Sequence, residues 1–155
     1  YAGGMRATKK ALEAGCKEVL WLDARDHKYV EEVGTSNAFF MIDNEVITAP
    51  LGGSILPGVT RDSTITLLKK WGYKASERKL SIDDIEAASK NGTLQEAWAT
   101  GTACVISPIG YLRYKGEDIV INNGNVGDLS QKLYDTIYGM QTGVVPDDMG
   151  WIVQI

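Results

Sequence analysis

The segment Leu56–Arg61 joins a Pro-Gly turn to the start of a helical pattern. A turn that leads into a helix exposes the first backbone N–H groups at the positive end of the helix dipole, and this geometry binds phosphate. The Thr60 hydroxyl would add one more donor. The simpler interpretation is an ordinary loop-to-helix junction in which Thr60 caps the helix. The segment alone does not decide between the two.

A second turn of small residues, Gly101-Thr102-Ala103, lies between a predicted strand and the apolar run Cys104–Ile106. Exposed N–H groups in such a turn can hold a phosphate or carboxylate oxygen, although most such turns bind nothing. Two adjacent acids, Glu31 and Glu32, precede a glycine turn. Either both are solvated, or one carboxylate faces inward to pair with a buried cation.

The single histidine, His27, lies between Asp26 and Lys28 and is therefore predicted to be a surface residue. No Ser/His/Asp or Cys/His set is apparent around it. With one histidine and two separated cysteines, Cys16 and Cys104, the sequence shows neither a disulfide framework nor a zinc pattern. Reduced thiols in the cytoplasm are the expected state.

The composition fits one soluble globular domain. The chain has 155 residues, of which 44% are hydrophobic, and a net charge of −4. This balance argues against a broad nucleic-acid surface, and no apolar run approaches the roughly 18 residues of a membrane span. Because the chain opens with Tyr1 instead of Met and goes straight into a helical pattern, we expect it to be part of a longer protein.

Hydrophobic periodicity and turn residues predict helices that alternate with short strands. Helices are expected over residues 2–14, 59–71, 81–91 and 129–140, the third opened by a capping signature at Ser81–Asp84 and the last capped by Asp128. Strands are expected over residues 18–22, 38–42, 45–48, 73–78, 94–100, 103–107, 111–114, 118–121 and 151–155. A polar loop is expected over 23–37 and a hairpin turn at Asp43-Asn44. This mixture predicts a single α/β or α+β domain.

Several segments, in this order, resemble the class IV pyridoxal-phosphate aminotransferases, and among them the branched-chain amino acid aminotransferases. The matching segments are residues 19–40, 50–63, 72–85, 101–110 and 129–143. The resemblance covers almost the whole chain. It implies the carboxy-terminal, cofactor-binding domain of fold type IV, a pseudo-barrel of mixed strands surrounded by helices, with the amino-terminal domain absent.

The resemblance implies a role for each matching position. Glu32 matches the carboxylate that pairs with the pyridine nitrogen of pyridoxal 5′-phosphate, and Tyr1 matches the tyrosine that hydrogen-bonds the phenolic oxygen of the ring. A nearby anion keeps that nitrogen protonated, so that the ring can accept electron density from the substrate. Leu56 is expected to pack close to the ring.

The two turns acquire roles in the same way. Gly58, Val59 and Thr60 match the phosphate-binding turn of the family. Thr102 matches a second phosphate-binding position, and Thr102 and Ala103 together match the turn that receives the substrate carboxylate. Thr35 lies where the family approaches cofactor or substrate.

No catalytic residue is expected within this chain. In the family, the lysine that forms the Schiff base lies five residues before the tyrosine matched by Tyr1, and Lys9 and Lys10 lie off that motif. Some relatives carry a Cys-x-x-Cys pair in the stretch that matches Cys104, but the second position here is Ser107, which excludes a vicinal disulfide.

The resemblance implies a parent enzyme that transfers the amino group of leucine, isoleucine or valine to 2-oxoglutarate, giving glutamate, as a homodimer. The 155-residue chain alone is expected to bind the cofactor weakly and not to turn over. Two alternatives remain open: a non-catalytic binding or assembly module of the same fold, and a sister class IV enzyme such as a D-amino acid aminotransferase or an aminodeoxychorismate lyase.

Overall fold

The computed structural model describes residues 2–153. Its α-helices are α1 (Met5–Glu13), α2 (Val59–Lys70), α3 (Ile82–Lys90) and α4 (Asp128–Gln141), with short 3-10 turns at Ala2–Gly4 and Asn122–Gly124. Its strands are β1 (Leu20–Leu22), β2 (Val30–Val33), β3 (Ser36–Ile42), β4 (Glu45–Thr48), β5 (Lys74–Glu77), β6 (Leu94–Gly101), β7 (Val105–Pro108), β8 (Tyr111–Tyr114) and β9 (Glu117–Val120). This mixture confirms the predicted fold class.

Strand β3 lies at the centre of a seven-stranded sheet. One edge of β3 pairs with β6 from Asn37 to Ile42. The other edge pairs with β2 at Ser36 and Asn37 and with β4 from Phe39 to Ile42, so β2 and β4 diverge beside Ala38. All pairs in the sheet are antiparallel except β4 with β5, which α2 connects. The divergence of β2 from β4 leaves room at the start of β3 for another part of the chain.

Hydrophobic side chains fill both faces of the sheet, because successive residues of a strand point to opposite faces. Phe39 stacks on Trp98 with ring centroids 5.6 Å apart, and both pack with buried residues of α2 and α4. Phe40, on the opposite face, packs with Ile85 of α3 and Ile119 of β9.

The hairpin predicted at Asp43-Asn44 is confirmed. Both residues have positive φ, 50° and 60°, which is typical of the type I′ turn that connects two strands through two residues. The loop predicted over residues 23–37 is wrong in its second half, because β2 and the beginning of β3 lie within it. Strand β2, which pairs on both edges, was not predicted because two of its four residues are acidic.

Several predicted boundaries also shift. The first helix begins as a 3-10 turn before Met5, and β7 begins at Val105 instead of Ala103. The strand predicted over residues 151–155 is not present at residues 151–153, and residues 154 and 155 lie outside the described part of the chain. No helix between residues 2 and 153 is long and apolar enough to cross a membrane.

The predicted cap of the last helix is also wrong, for a physical reason. Gly127 is the N-cap of α4 and Asp128 is its first helical residue. The cap comes from β6: the Glu96 carboxylate accepts hydrogen bonds from Leu129 N at 3.0 Å and Ser130 N at 2.9 Å. A Cβ atom on Gly127 would overlap the Glu96 carboxylate, so a larger residue there would displace the cap.

Replacing Glu96 with Ala is therefore expected to lower the free energy of unfolding by about 1–2 kcal/mol, because two helix N–H groups lose a charged acceptor. Urea unfolding measures the change. Glu117→Ala, at an exposed residue of β9, is the control and should change the free energy by less than about 0.5 kcal/mol. Equal effects of the two substitutions would contradict the capping role.

Glu45 of β4 forms side-chain contacts with the neighbouring strand β5 and the residue after it. Its pKa is lowered from 4.5 to about 2, mainly because Arg78 and then Ser76 donate hydrogen bonds to the carboxylate. Since the folded-state pKa lies below the unfolded one, this contribution to stability is present above about pH 4.5 and is lost as the pH falls toward 2. The Glu45→Gln variant should thus have a lower free energy of unfolding than the unsubstituted protein at neutral pH. The difference between the two proteins should decrease as the pH falls from about 4.5 toward 2. A difference in urea unfolding that does not change with pH would contradict this.

Candidate functional site

Glu32 turns inward from β2 and is only 9% exposed. Its Oε1 accepts hydrogen bonds from Leu56 N at 3.0 Å and from Asn37 Nδ2 at 3.3 Å. No residue between 2 and 153 donates a hydrogen bond to Oε2. Of the two sequence interpretations, the inward-facing carboxylate is confirmed, but its partners are neutral amides and not a buried cation.

The neighbouring acid holds the same loop from the other side. Glu31 is half-buried, and its Oε1 accepts a hydrogen bond from Ser54 Oγ at 2.6 Å. The two carboxylates point to opposite faces of β2, because they are adjacent in a strand. Together they fasten the glycine-rich segment 51–58 beside the start of β3.

Asn37 connects the Glu32 carboxylate to the Pro-Gly turn. The residue is 4% exposed and lies directly opposite Glu32 in the β2–β3 pair. Its Nδ2 donates to Leu56 O at 2.9 Å as well as to Glu32. A Cβ atom on Gly58 would overlap Asn37 Oδ1. Asn37 therefore brings together three of the predicted site residues: Glu32, Leu56 and Gly58.

Sequence reasoning gave Asn37 a place in the family motif but no role in the site. The available signal was its position four residues after Val33, across a two-residue turn that begins with Gly34. Gly34 has φ +57°, a conformation that glycine adopts readily. Had this hairpin been predicted, the pairing of Glu32 with Asn37 would have followed from the register.

Helix α2 begins at Val59, with Gly58 as an extended N-cap residue and no side-chain cap. The first backbone donor inside the helix is Asp62 N, which donates to Gly58 O. The N–H groups of Val59 and Thr60 therefore have no acceptor within residues 2–153. The capping interpretation of Thr60 is wrong, and the start of the helix presents free donors at its positive end.

Arg61 fixes the first turn of α2. Its side chain is buried, and Nη2 donates to Ala49 O at 2.8 Å and to Glu77 Oε2 at 2.7 Å. These contacts join the helix to the ends of β4 and β5. The free donors at the start of α2 thus lie on a rigid support.

Two further turns lie side by side at the same end of β3. Gly34-Thr35 connects β2 to β3, and residues 102–104 connect β6 to β7. Ser36 Oγ lies 4.0 Å from Cys104 Sγ, which joins the two turns. Thr35, Thr102 and Ala103 are exposed. Because Asn37 also pairs with Thr100 of β6, a row of polar residues, Glu32, Asn37 and Thr100, crosses three strands toward this second turn.

The second turn ends in a strained residue. Val105 is buried and has φ +54°, an outlying conformation for a β-branched side chain. It pairs with Gly101 across the turn. Strain of this kind costs about 1–3 kcal/mol and persists where the surrounding structure holds it in place.

The remaining predicted residues are placed as follows. Tyr1 lies outside the described residues. His27 is exposed, as predicted. Cys104 is half-buried, and Ser107, which replaces the second cysteine of the redox motif, is exposed. Among residues 2–153, no cluster of three His, Cys, Asp or Glu side chains could hold a metal ion.

The resemblance predicted three features at these positions: an inward-facing carboxylate, free N–H groups at the start of a helix, and a second turn of small residues. The family model described as amino-transferase class IV matches residues 1–111. The chain belongs to the class IV aminotransferases. The family assignment made from sequence is confirmed.

Two curated relatives of this class IV chain are named as branched-chain enzymes. It is 51% identical over 155 residues to branched-chain-amino-acid aminotransferase 2 of Bacillus subtilis (strain 168), matching 100% of the chain and 43% of that protein. It is 48% identical over 155 residues to branched-chain-amino-acid transaminase 1 of the same organism, matching 100% of the chain and 44% of that protein. The chain spans less than half the length of these relatives.

Solved structures agree with this class IV fold. A T.th. branched-chain amino acid aminotransferase, complexed with N-(5′-phosphopyridoxyl)-L-glutamate, superposes with a TM-score of 0.79 at 28% identity, covering 99% of this chain and 47% of that one. The Escherichia coli branched-chain amino acid aminotransferase superposes with a TM-score of 0.77 at 29% identity, covering 94% of this chain and 45% of that one.

Proposed function

We propose that this chain is the carboxy-terminal, cofactor-binding domain of an aminotransferase that acts on leucine, isoleucine and valine. The observation that carries the proposal is the connection from the buried Glu32 through Asn37 to the open start of α2. This arrangement offers a carboxylate for a cationic ring nitrogen and backbone donors for a phosphate, held by one set of contacts.

The residues present fit pyridoxal 5′-phosphate. Glu32 carries a negative charge without a salt bridge to any residue between 2 and 153, so a protonated pyridine nitrogen would supply the missing positive partner. Gly58 packs so closely against Asn37 that a Cβ atom there would overlap Asn37 Oδ1, which ties the start of α2 to the Glu32 site. Leu56 is 60% exposed beside this carboxylate and offers an apolar contact for the ring.

In this proposal, Val59 and Thr60 hold the phosphate through their free N–H groups, with Gly58 allowing close approach. Thr102 adds a phosphate contact from the second turn. Thr102 and Ala103 receive the substrate carboxylate, and Thr35 contacts substrate or cofactor from the adjacent turn. Tyr1 donates to the phenolic oxygen of the ring.

When bound, the cofactor supplies a ring that withdraws electrons from the substrate α-carbon. Glu32 contributes by keeping the ring nitrogen protonated, since a nearby anion favours the charged form of a base. The turns contribute by fixing the phosphate and the substrate carboxylate, which orients the scissile bond. Lys9 and Lys10 are exposed on α1, and neither is proposed to attach the cofactor.

The complete protein is proposed to pass the amino group to 2-oxoglutarate, giving glutamate, and to work as a homodimer together with its amino-terminal domain. Relatives named as branched-chain aminotransferases support the substrate class, and the glutamate adduct in the T.th. enzyme structure supports the acceptor. The free thiols of Cys16 and Cys104 agree with a cytoplasmic location.

The substrate class is tested with the full-length protein by following glutamate made from 2-oxoglutarate and each amino donor. We expect leucine, isoleucine and valine to be used, and D-alanine to give no glutamate above background. Use of D-alanine instead would assign the chain to a sister class IV enzyme. No glutamate from any donor, with added pyridoxal phosphate, would favour a binding or assembly module.

A separate expectation concerns the 155-residue chain by itself. Because the amino-terminal domain is proposed to complete the cofactor cleft, we expect weak binding of pyridoxal phosphate and no turnover. Equilibrium dialysis measures the binding. Tight one-to-one binding by the isolated chain would contradict this expectation.

A further inference from the structure

We propose that Asn37 is a positioning residue, which holds the Glu32 carboxylate toward the cofactor ring and couples it to the phosphate-binding turn. The inference rests on the proposed function and deepens it. Asn37 itself would not contact the reacting atoms, and its effect on the reaction would pass through Glu32 and the segment Leu56–Gly58.

The first argument is that the two oxygens of Glu32 differ in their hydrogen-bond partners. Oε1 receives both protein donors, Asn37 Nδ2 and Leu56 N. Oε2 receives none from residues 2–153. A carboxylate that is anchored through one oxygen cannot rotate freely, so its other oxygen stays available to a ligand. In the proposed site, the protonated ring nitrogen would bind at Glu32 Oε2.

The second argument concerns charge. An amide donates a hydrogen bond without adding a counter-charge, whereas a lysine or arginine at position 37 would pair with Glu32 and compete with the ring nitrogen. An aspartate at that position would face a like charge across the strand pair, which raises the pKa of one of the two carboxyl groups. Asn37 therefore orients Glu32 and leaves its negative charge available.

The third argument is the reach of the same side chain into the phosphate turn. Nδ2 also donates to Leu56 O at 2.9 Å, and Oδ1 lies against Gly58, directly before the free N–H groups of α2. One buried amide thus sets the distance between the ring-nitrogen contact and the phosphate contact. A displacement of about 1 Å in such a site costs on the order of 100-fold in rate.

The test is a double-mutant cycle in the full-length enzyme with Asn37→Ala and Glu32→Gln. We expect Asn37→Ala to lower kcat for leucine about 10- to 100-fold and to weaken pyridoxal phosphate binding, with a smaller change in the KM for leucine. In the Glu32→Gln background the same substitution should cost at least about threefold less in kcat than in the unsubstituted enzyme, because the part of its effect that passes through Glu32 is then absent. Asn91→Ala, at an exposed helix end, is the control and should leave kcat unchanged.

An equal loss of kcat from Asn37→Ala in both backgrounds, or a kcat within about twofold of the unsubstituted enzyme, would overturn the inference. If Asn37→Ala does not fold, Asn37→Leu has the branched shape of Asn and removes the donor without adding a charge, and the same cycle applies to it. Failure of the proposed function would already be seen in the unsubstituted protein, as no glutamate from leucine. Failure of this inference leaves that activity intact.

Discussion

Replacing Glu32 with Gln is expected to lower the kcat of the full-length protein about 100- to 1,000-fold, the range seen when one preorganised electrostatic contact is removed from an active site. Gln keeps the volume of Glu and can still accept hydrogen bonds from Leu56 N and Asn37 Nδ2 through its amide oxygen. What it loses is the negative charge that favours protonation of the ring nitrogen. The loss should therefore fall on the reaction and not on folding.

Steady-state glutamate production and thermal unfolding measure the two effects separately. Glu31→Gln is the matched control, because Glu31 is the adjacent acid and Gln at this position can still accept the hydrogen bond from Ser54 Oγ that holds segment 51–58. We expect Glu31→Gln to change kcat by less than about threefold. Comparable losses of kcat from both substitutions would contradict the assignment of Glu32 to the ring nitrogen.

Gly58→Ala is expected to weaken pyridoxal phosphate binding by at least about tenfold and to lower the free energy of unfolding by about 1–3 kcal/mol, as overpacking does. Gly58 has φ −68° and ψ 138°, which alanine adopts without strain. The cost therefore arises from contact and not from backbone conformation: the new methyl group would overlap Asn37 Oδ1. Moving either group disturbs the start of α2.

A second substitution separates the two causes. In the double variant Gly58→Ala with Asn37→Ala, the overlapping group is gone. The loss of unfolding free energy in the double variant should therefore be smaller than the sum of the losses in the two single variants. Gly52→Ala is the control, since a Cβ atom there has no atom within 4 Å. If Gly58→Ala binds the cofactor as tightly as the Gly52→Ala control, the α2 turn is not the phosphate site.

The sequence predicted much of the fold because local signals determine it. Asp43-Asn44 allows positive φ, so the hairpin between β3 and β4 was expected, and the capping box at Ser81 and Asp84 is formed as predicted. The order of the short motifs was specific enough to indicate the family. Each of these features depends on residues close together in the chain.

The features that the sequence did not reveal depend on residues far apart. The cap of α4 comes from Glu96, which is 33 positions away from Leu129, so a search for a cap near residue 128 could only find Asp128. Strand β2 was hidden because its alternation includes two acids, one of which is buried by contacts to the segment 51–58. Asn37 was overlooked for the same reason, since its partners are identified only by the strand register.

The visible absorption and cofactor content of the full-length protein test the central claim most directly. We predict one pyridoxal phosphate per chain and an absorption band that shifts when leucine is added, with both properties weakened by Gly58→Ala. A colourless protein that takes up no pyridoxal phosphate, or a band that leucine does not change, would contradict the claim that these turns and Glu32 form the cofactor site of a branched-chain aminotransferase.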